Sequence, residues 1–140
     1  LKTATTDWVA RMDADDRMAP NRLAMQVDFL QKNPQVRVLS ATGYYMSEHG
    51  QRHQKMPIRG ITTPEKFQAY YQSGQPIILL HPSIVMHRET VLSVGGYRNI
   101  WPCEDVDLWM RVAERGHLIL EQDVPLIDYR IHRNAATVSK

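Results

Sequence analysis

A chain of 140 residues that is 43% hydrophobic is long enough to bury one core and too short for two independent ones. Its 17 basic and 15 acidic side chains leave a net charge of +2 with no lysine–arginine stripe, which argues against nucleic acid as a partner. Cys103 is the single cysteine, which excludes an internal disulfide and a cysteine zinc cluster and fits a reducing compartment.

The longest apolar run, Ile77 to Leu80, is far below the roughly 20 residues that cross a bilayer. Membrane contact is therefore expected to be peripheral or to come from the parent protein. In chain order, Trp8 to Met12 reads as a strand that ends on acidic residues, and it opens in mid-pattern. Pro20 precedes Leu23, Val27 and Leu30 at helical spacing, and Pro34 stops the pattern, which predicts an amphipathic helix. Val36 to Met46 reads as a strand, and the polar stretch Ser47 to Gly60 as a loop or hairpin. Thr63-Pro64-Glu65-Lys66 caps a short helix that runs to about Ser73, with Gly74 as its stop. Ser83 to Met86 reads as a short buried strand and Arg88 to Val94 as a helix ended by Gly95-Gly96.

The next helix is punctuated at both ends. Pro102 precedes it, Glu104, Asp105 and Asp107 load its first turn, Arg111 and Arg115 sit late, and Gly116 follows. His117 to Glu121 and Pro125 to His132 read as two final strands before a frayed polar tail. Strands alternating with helices predict an α/β domain.

Two acidic clusters carry chemistry. Asp13-Ala14-Asp15-Asp16 lies just past a strand end, where open α/β sheets hold their ligands. In an extended segment Asp13 and Asp15 point the same way and can converge on a hard cation such as Mg²⁺ or Mn²⁺. The same residues also suit a solvated acidic turn ahead of a helix. An EF-hand is excluded, because its required glycine and glutamate are here Met18 and Ala24. An aspartyl-phosphate phosphatase is a weaker rival, since its usual hydroxyl residue is here Arg17. Glu104-Asp105 forms the second cluster. Inverting sugar transfer needs a base for the acceptor hydroxyl and a cation for the leaving diphosphate, and two clusters can divide those tasks. Carboxylates at a helix start are also common without any catalytic role.

At this point the chain resembles the inverting family 2 glycosyltransferases of the GT-A fold. The pieces come in the family's order: Met12 to Asp16 with the following helix, His81-Pro82-Ser83, Arg88-Glu89, Gly95-Gly96-Tyr97, Glu104 to Arg111, and Tyr129-Arg130-Ile131-His132. The resemblance implies a partial GT-A domain, a mixed sheet flanked by helices, in which residues 1–140 form the acceptor-side part and the N-terminal nucleotide-binding strands are absent. It makes Asp105 the catalytic base, with Asp13, Glu104 and Arg130 binding substrate and Asp13, Asp15 and His132 around Mg²⁺ or Mn²⁺. It further implies a nucleotide-diphosphate sugar donor, a saccharide or lipid-linked saccharide acceptor, a role in surface polysaccharide or lipopolysaccharide synthesis, and a cytoplasmic location at the inner face of the membrane. His81, Asp107 and Trp109 read as structural. A raw sheet edge at Trp8 to Met12 predicts a homodimer. Two rival functions share parts of this pattern: a metal-dependent nucleotidyl- or phosphotransferase, which needs no base at Asp105, and a non-catalytic saccharide-binding or assembly domain.

Overall fold

The computed structural model describes residues 1–132, so the polar tail lies outside the described residues. Six strands form one mixed sheet, in the order β1 (Trp8–Ala10), β5 (Val85–His87), β3 (Val36–Met46), β6 (Leu118–Arg130) and β2 (Arg17–Met18), with β4 (Arg52–Lys55) also pairing β3. β3 and β6 run parallel at the centre, and every other pairing is antiparallel. This is the α/β, partial GT-A architecture expected. β3 is buried along most of its length, which is why its sequence reads as a nearly unbroken apolar run rather than an alternation.

The four helices are α1 (Arg22–Lys32), α2 (Pro64–Gln72), α3 (Arg88–Ser93) and α4 (Glu104–Glu114), and His81–Ser83 adds a 3-10 turn. Thr63 caps α2 by accepting from the Lys66 N–H at 3.3 Å, and Pro64 occupies the first turn. Leu108, Trp109 and Val112 face inward from α4 and are fully buried beside Leu39, Ile84 and Ile119. Trp109 is thus a core residue, as expected.

Ser47 to Gly60, expected as a loop or hairpin, is a hairpin: the Ser47 N–H donates to the Gln51 carbonyl at 2.8 Å, and Gly50 takes a φ of 84° that closes the turn. Two other elements differ from the sequence reading. The two expected final strands are one. β6 passes through Asp123 and Pro125 by shifting register opposite Ala41 and Thr42, because proline has no N–H to give the ladder and the strand bulges instead of ending.

The second difference is in α1. Its helix begins at Arg22, and its buried face is Arg22, Gln26 and Leu30. Leu23 and Val27, expected to face the core, are 46% and 50% exposed. Polar groups turn inward here because backbone carbonyls await them. Arg22 donates to the Arg11 carbonyl at 2.8 Å and to Gln26 Oε1 at 3.0 Å, and Gln26 donates to the Ser83 carbonyl at 2.9 Å. Buried polar groups are stable only when so paired.

Candidate active site

β1 leads into a loop over residues 11–16, and the 3-10 turn, the start of α4 and the second half of β6 come up around it. Together they enclose a cleft of about 470 Å³. Asp13, Glu104 and Asp105 all line it, so two clusters far apart in the chain meet in one place. The loop turns at Ala14 and Asp15 rather than staying extended, so the two aspartates take different partners. Asp13 Oδ1 lies 2.6 Å from Arg11 Nη1, and Asp15 Oδ2 lies 2.8 Å from His132 Nε2. The hydrogen bond from His132 holds the Asp15 carboxyl below its usual range. Burial pushes Asp16 up to about 6, and its Oδ1 accepts the Arg130 backbone N–H at 2.8 Å.

Arg130, expected at the diphosphate, spends its guanidinium on carbonyls. It donates to Asp15 at 2.6 Å and to Glu48 at 2.6 Å. It therefore staples the acidic loop to the β3–β4 hairpin and sets the position of Asp15. Among the described residues no three His, Cys, Asp or Glu side chains gather as a metal-holding group. The Asp15–His132 pair nonetheless supplies one oxygen and one nitrogen donor on an open edge. That set suits a divalent cation completed by phosphate oxygens and water, since such ions commonly take only one or two protein ligands beside substrate phosphates.

Asp105 sits in the first turn of α4, where its Oδ1 accepts the Val106 N–H at 2.8 Å. Its Oδ2 faces His81 Nδ1 at 3.8 Å. The other His81 nitrogen is 2.8 Å from the Tyr97 hydroxyl. Burial, helped by the positive charge of Arg11, lowers the His81 pKa to about 4, so the ring is neutral near pH 7. Burial raises the Tyr97 hydroxyl to about 12, which keeps it a donor. The tautomer in which Tyr97 donates to Nε2 places the His81 proton on Nδ1, on the side of Asp105. His81 is thus packed and hydrogen-bonded, as a structural histidine should be, yet it borders the candidate base. Asp107 is structural too: its carboxylate takes Arg111 at 2.6 Å, and Arg111 also donates to the Gly96 carbonyl at 2.8 Å.

Sequence reasoning passed over several lining residues. Glu121 is buried and its carboxyl is raised by burial. It accepts the Arg59 N–H at 2.6 Å and so anchors the loop that forms the far wall. An acid directly after the apolar run Leu118-Ile119-Leu120 was its one signal. Trp101 stands at the rim, 69% exposed.

Comparison with known sequences places the chain in a family. The model of the family described as glycosyl transferase family 2 covers residues 1–94. The chain belongs to glycosyl transferase family 2. An amylovoran biosynthesis glycosyltransferase of Erwinia amylovora is 26% identical over 100% of the chain and 50% of its own length. A UDP-Gal:alpha-D-GlcNAc-diphosphoundecaprenol beta-1,3-galactosyltransferase of Escherichia coli is 27% identical over 97% of the chain and 48% of its own length. An O-antigen biosynthesis glycosyltransferase of Escherichia coli is 24% identical over 94% and 50%. This family 2 chain thus spans about half the length of these relatives. Among its described residues no helix is long and apolar enough to cross a membrane.

Proposed function

We propose that these residues form the acceptor side and the diphosphate edge of an inverting, metal-dependent glycosyltransferase that uses a nucleotide-diphosphate sugar in surface polysaccharide or O-antigen synthesis. The donor's base is then recognised by the remainder of the parent protein. The observation that carries the reading is the meeting of Asp13 and Asp105 in one cleft, with Asp15, two residues on from Asp13, paired to His132. Asp105 accepts the proton of the acceptor hydroxyl as that oxygen attacks the anomeric carbon from the face opposite the diphosphate. The bond to the diphosphate breaks and the configuration inverts. Asp15 and His132 would hold Mg²⁺ or Mn²⁺, whose contribution when bound is to neutralise charge on the leaving diphosphate. Asp13, tethered to Arg11, borders the sugar, and Glu104 receives the acceptor. The acceptor is a saccharide, free or lipid-linked, and the reaction takes place on the cytoplasmic side of the membrane that carries it.

The test uses the parent enzyme with Asp105→Asn and Asp15→Asn. Asp105→Asn keeps shape but takes no proton, so transfer should fall by about 10²–10⁴ with donor affinity held. Asp15→Asn should remove the response of the rate to added Mn²⁺. A mutant at Asp105 that loses donor affinity but keeps its saturated rate refutes the base assignment, and full turnover in excess chelator refutes the metal.

A further inference from the structure

His81 stands on a backbone held at several points. Its 3-10 turn is closed by the Ser83 N–H on the Leu80 carbonyl at 2.9 Å, and the buried Ser83 hydroxyl ties it to β3 by accepting the Ala41 N–H at 2.9 Å. Tyr97 arrives from the other side, where Arg111 fixes the segment before it through the Val94 and Gly96 carbonyls. Between them lies the buried Trp109, whose indole meets the His81 and Tyr97 rings edge-on at centroid distances of 6.0 and 6.4 Å. Trp109 follows Asp105 by four residues, so the two share one face of α4. The imidazole therefore packs on Trp109 and faces Asp105, one turn earlier.

The two ring nitrogens meet different groups. Nε2 is 2.8 Å from the Tyr97 hydroxyl, and Nδ1 is 3.8 Å from Asp105 Oδ2. Burial lowers the ring's pKa to about 4, so near neutral pH it has one proton to place. On Nε2, that proton would go to Tyr97 and leave the Nδ1 lone pair against a carboxylate, two acceptors facing each other. On Nδ1, it points at Oδ2 while Tyr97 donates to Nε2, and every group is matched. The carboxylate gains from this second arrangement. Its Oδ1 accepts the N–H of the next residue, Val106, at 2.8 Å, a local bond that holds one oxygen and leaves the plane of the group free to swing. A support at Oδ2 fixes the plane. At 3.8 Å that support is longer than a hydrogen bond, and contacts of this kind commonly tighten once substrate is bound.

We propose that Tyr97 and His81 form a positioning pair for Asp105: Tyr97 selects the Nδ1–H tautomer, and that N–H fixes the plane of the Asp105 carboxylate toward the acceptor hydroxyl. His81 moves no proton; the one released by the acceptor hydroxyl stays on Asp105. The inference rests on the role given to Asp105 above.

The experiment has two arms. In the first, NMR of the chain with isotope-labelled histidine reads the two ring nitrogens of His81, assigned by their loss in His81→Asn. A protonated Nδ1 and a bare Nε2 near neutral pH are expected, and a proton on Nε2 overturns the proposal. The second arm is kinetic and uses the parent enzyme. Glutamine carries its donor at the place of Nε2, and asparagine at the place of Nδ1. His81→Gln keeps a partner for Tyr97 but gives Asp105 nothing, so kcat should fall by about 10- to 100-fold, the size of one hydrogen bond to a charged group. Donor and acceptor KM should move less than about twofold, because ground-state binding is untouched. His81→Asn restores a donor to Asp105 and should keep kcat within about threefold of the parent. Tyr97→Phe frees the tautomer and should lower kcat in the parent but add nothing in the His81→Asn background, where there is no tautomer to select. A full rate in His81→Gln beside a slow His81→Asn assigns the ring to Tyr97 alone and overturns the proposal. Equal losses in both, with equal falls in Tm, assign it to packing and do the same. Loss of rate in Asp105→Asn with full kcat in His81→Gln removes the positioning pair and leaves the base. Full rate in Asp105→Asn removes the base, and the positioning role with it.

Discussion

Replacing Arg22 by methionine keeps the length of a side chain in the sheet-facing row of α1 and removes its fork of donors. Two well-made hydrogen bonds are lost, at 2.8 Å to the Arg11 carbonyl and 3.0 Å to Gln26 Oε1, along with a longer one to Ile84 at 3.4 Å. Bonds from a charged donor contribute about 1.5–3 kcal/mol each. Burial of an arginine with no carboxylate partner costs several kcal/mol in return, so the net loss should be about 2–4 kcal/mol. With an unfolding entropy of about 2.1 cal/mol/K per residue over 140 residues, that is a fall in Tm of about 7–14 °C. Leu23→Ala with Val27→Ala, at half-exposed positions, should cost about 1 kcal/mol together, or about 3 °C. Circular dichroism melts of the chain and the two variants decide it. If the Leu23/Val27 pair proves the more damaging, the face of α1 assigned to the core is wrong.

His81 makes stability pH-dependent with a definite sign. Its folded pKa of about 4 lies below the usual 6.5, so between those values the unfolded chain takes up a proton that the folded chain refuses. Its contribution is whole above about 6.5 and is lost as the pH falls toward 4. Urea unfolding at about pH 7 and about pH 5 should show a smaller difference in His81→Gln than in the parent chain, and equal differences refute it. The outer edge of β1 pairs with nothing among the described residues, so light scattering on the chain should show a dimer that Val9→Lys disperses. A monomer at high concentration refutes that.

What the sequence made legible follows from where charge and turn chemistry speak locally. α4 could be bounded because its acids, its late arginine and Gly116 all act within a turn of its ends. Asp13 and Asp105 could be picked out because each follows a boundary visible in the pattern. α1 could be placed but not oriented: the carbonyls that draw Arg22 and Gln26 inward belong to Arg11, Ile84 and Ser83, and no local pattern reports them. The same holds for Arg130, whose residue type suggests phosphate while its partners are backbone oxygens. β2 has only two exposed residues and no periodicity to read. Glu121 and Trp101 become site residues only once β6 and the turn before α4 face each other across the cleft.

The place of β6 in the sheet sets an order of assembly. The last described strand enters between β3 and β2 and pairs with residues more than half the chain earlier, Val36 with Leu118 and Met46 with Arg130. A nascent chain that ends before Leu118 has β3 with one side open, and it lacks Glu121 on the cleft wall, the Arg130 staple and the His132 partner of Asp15. Synthesis from the N-terminus at about 5–20 residues per second then leaves several seconds in which the acidic loop exists without its site. Pairings of such long range also close slowly. An intermediate of that length therefore lacks the described cleft, and the open side of β3 is its exposed sheet edge.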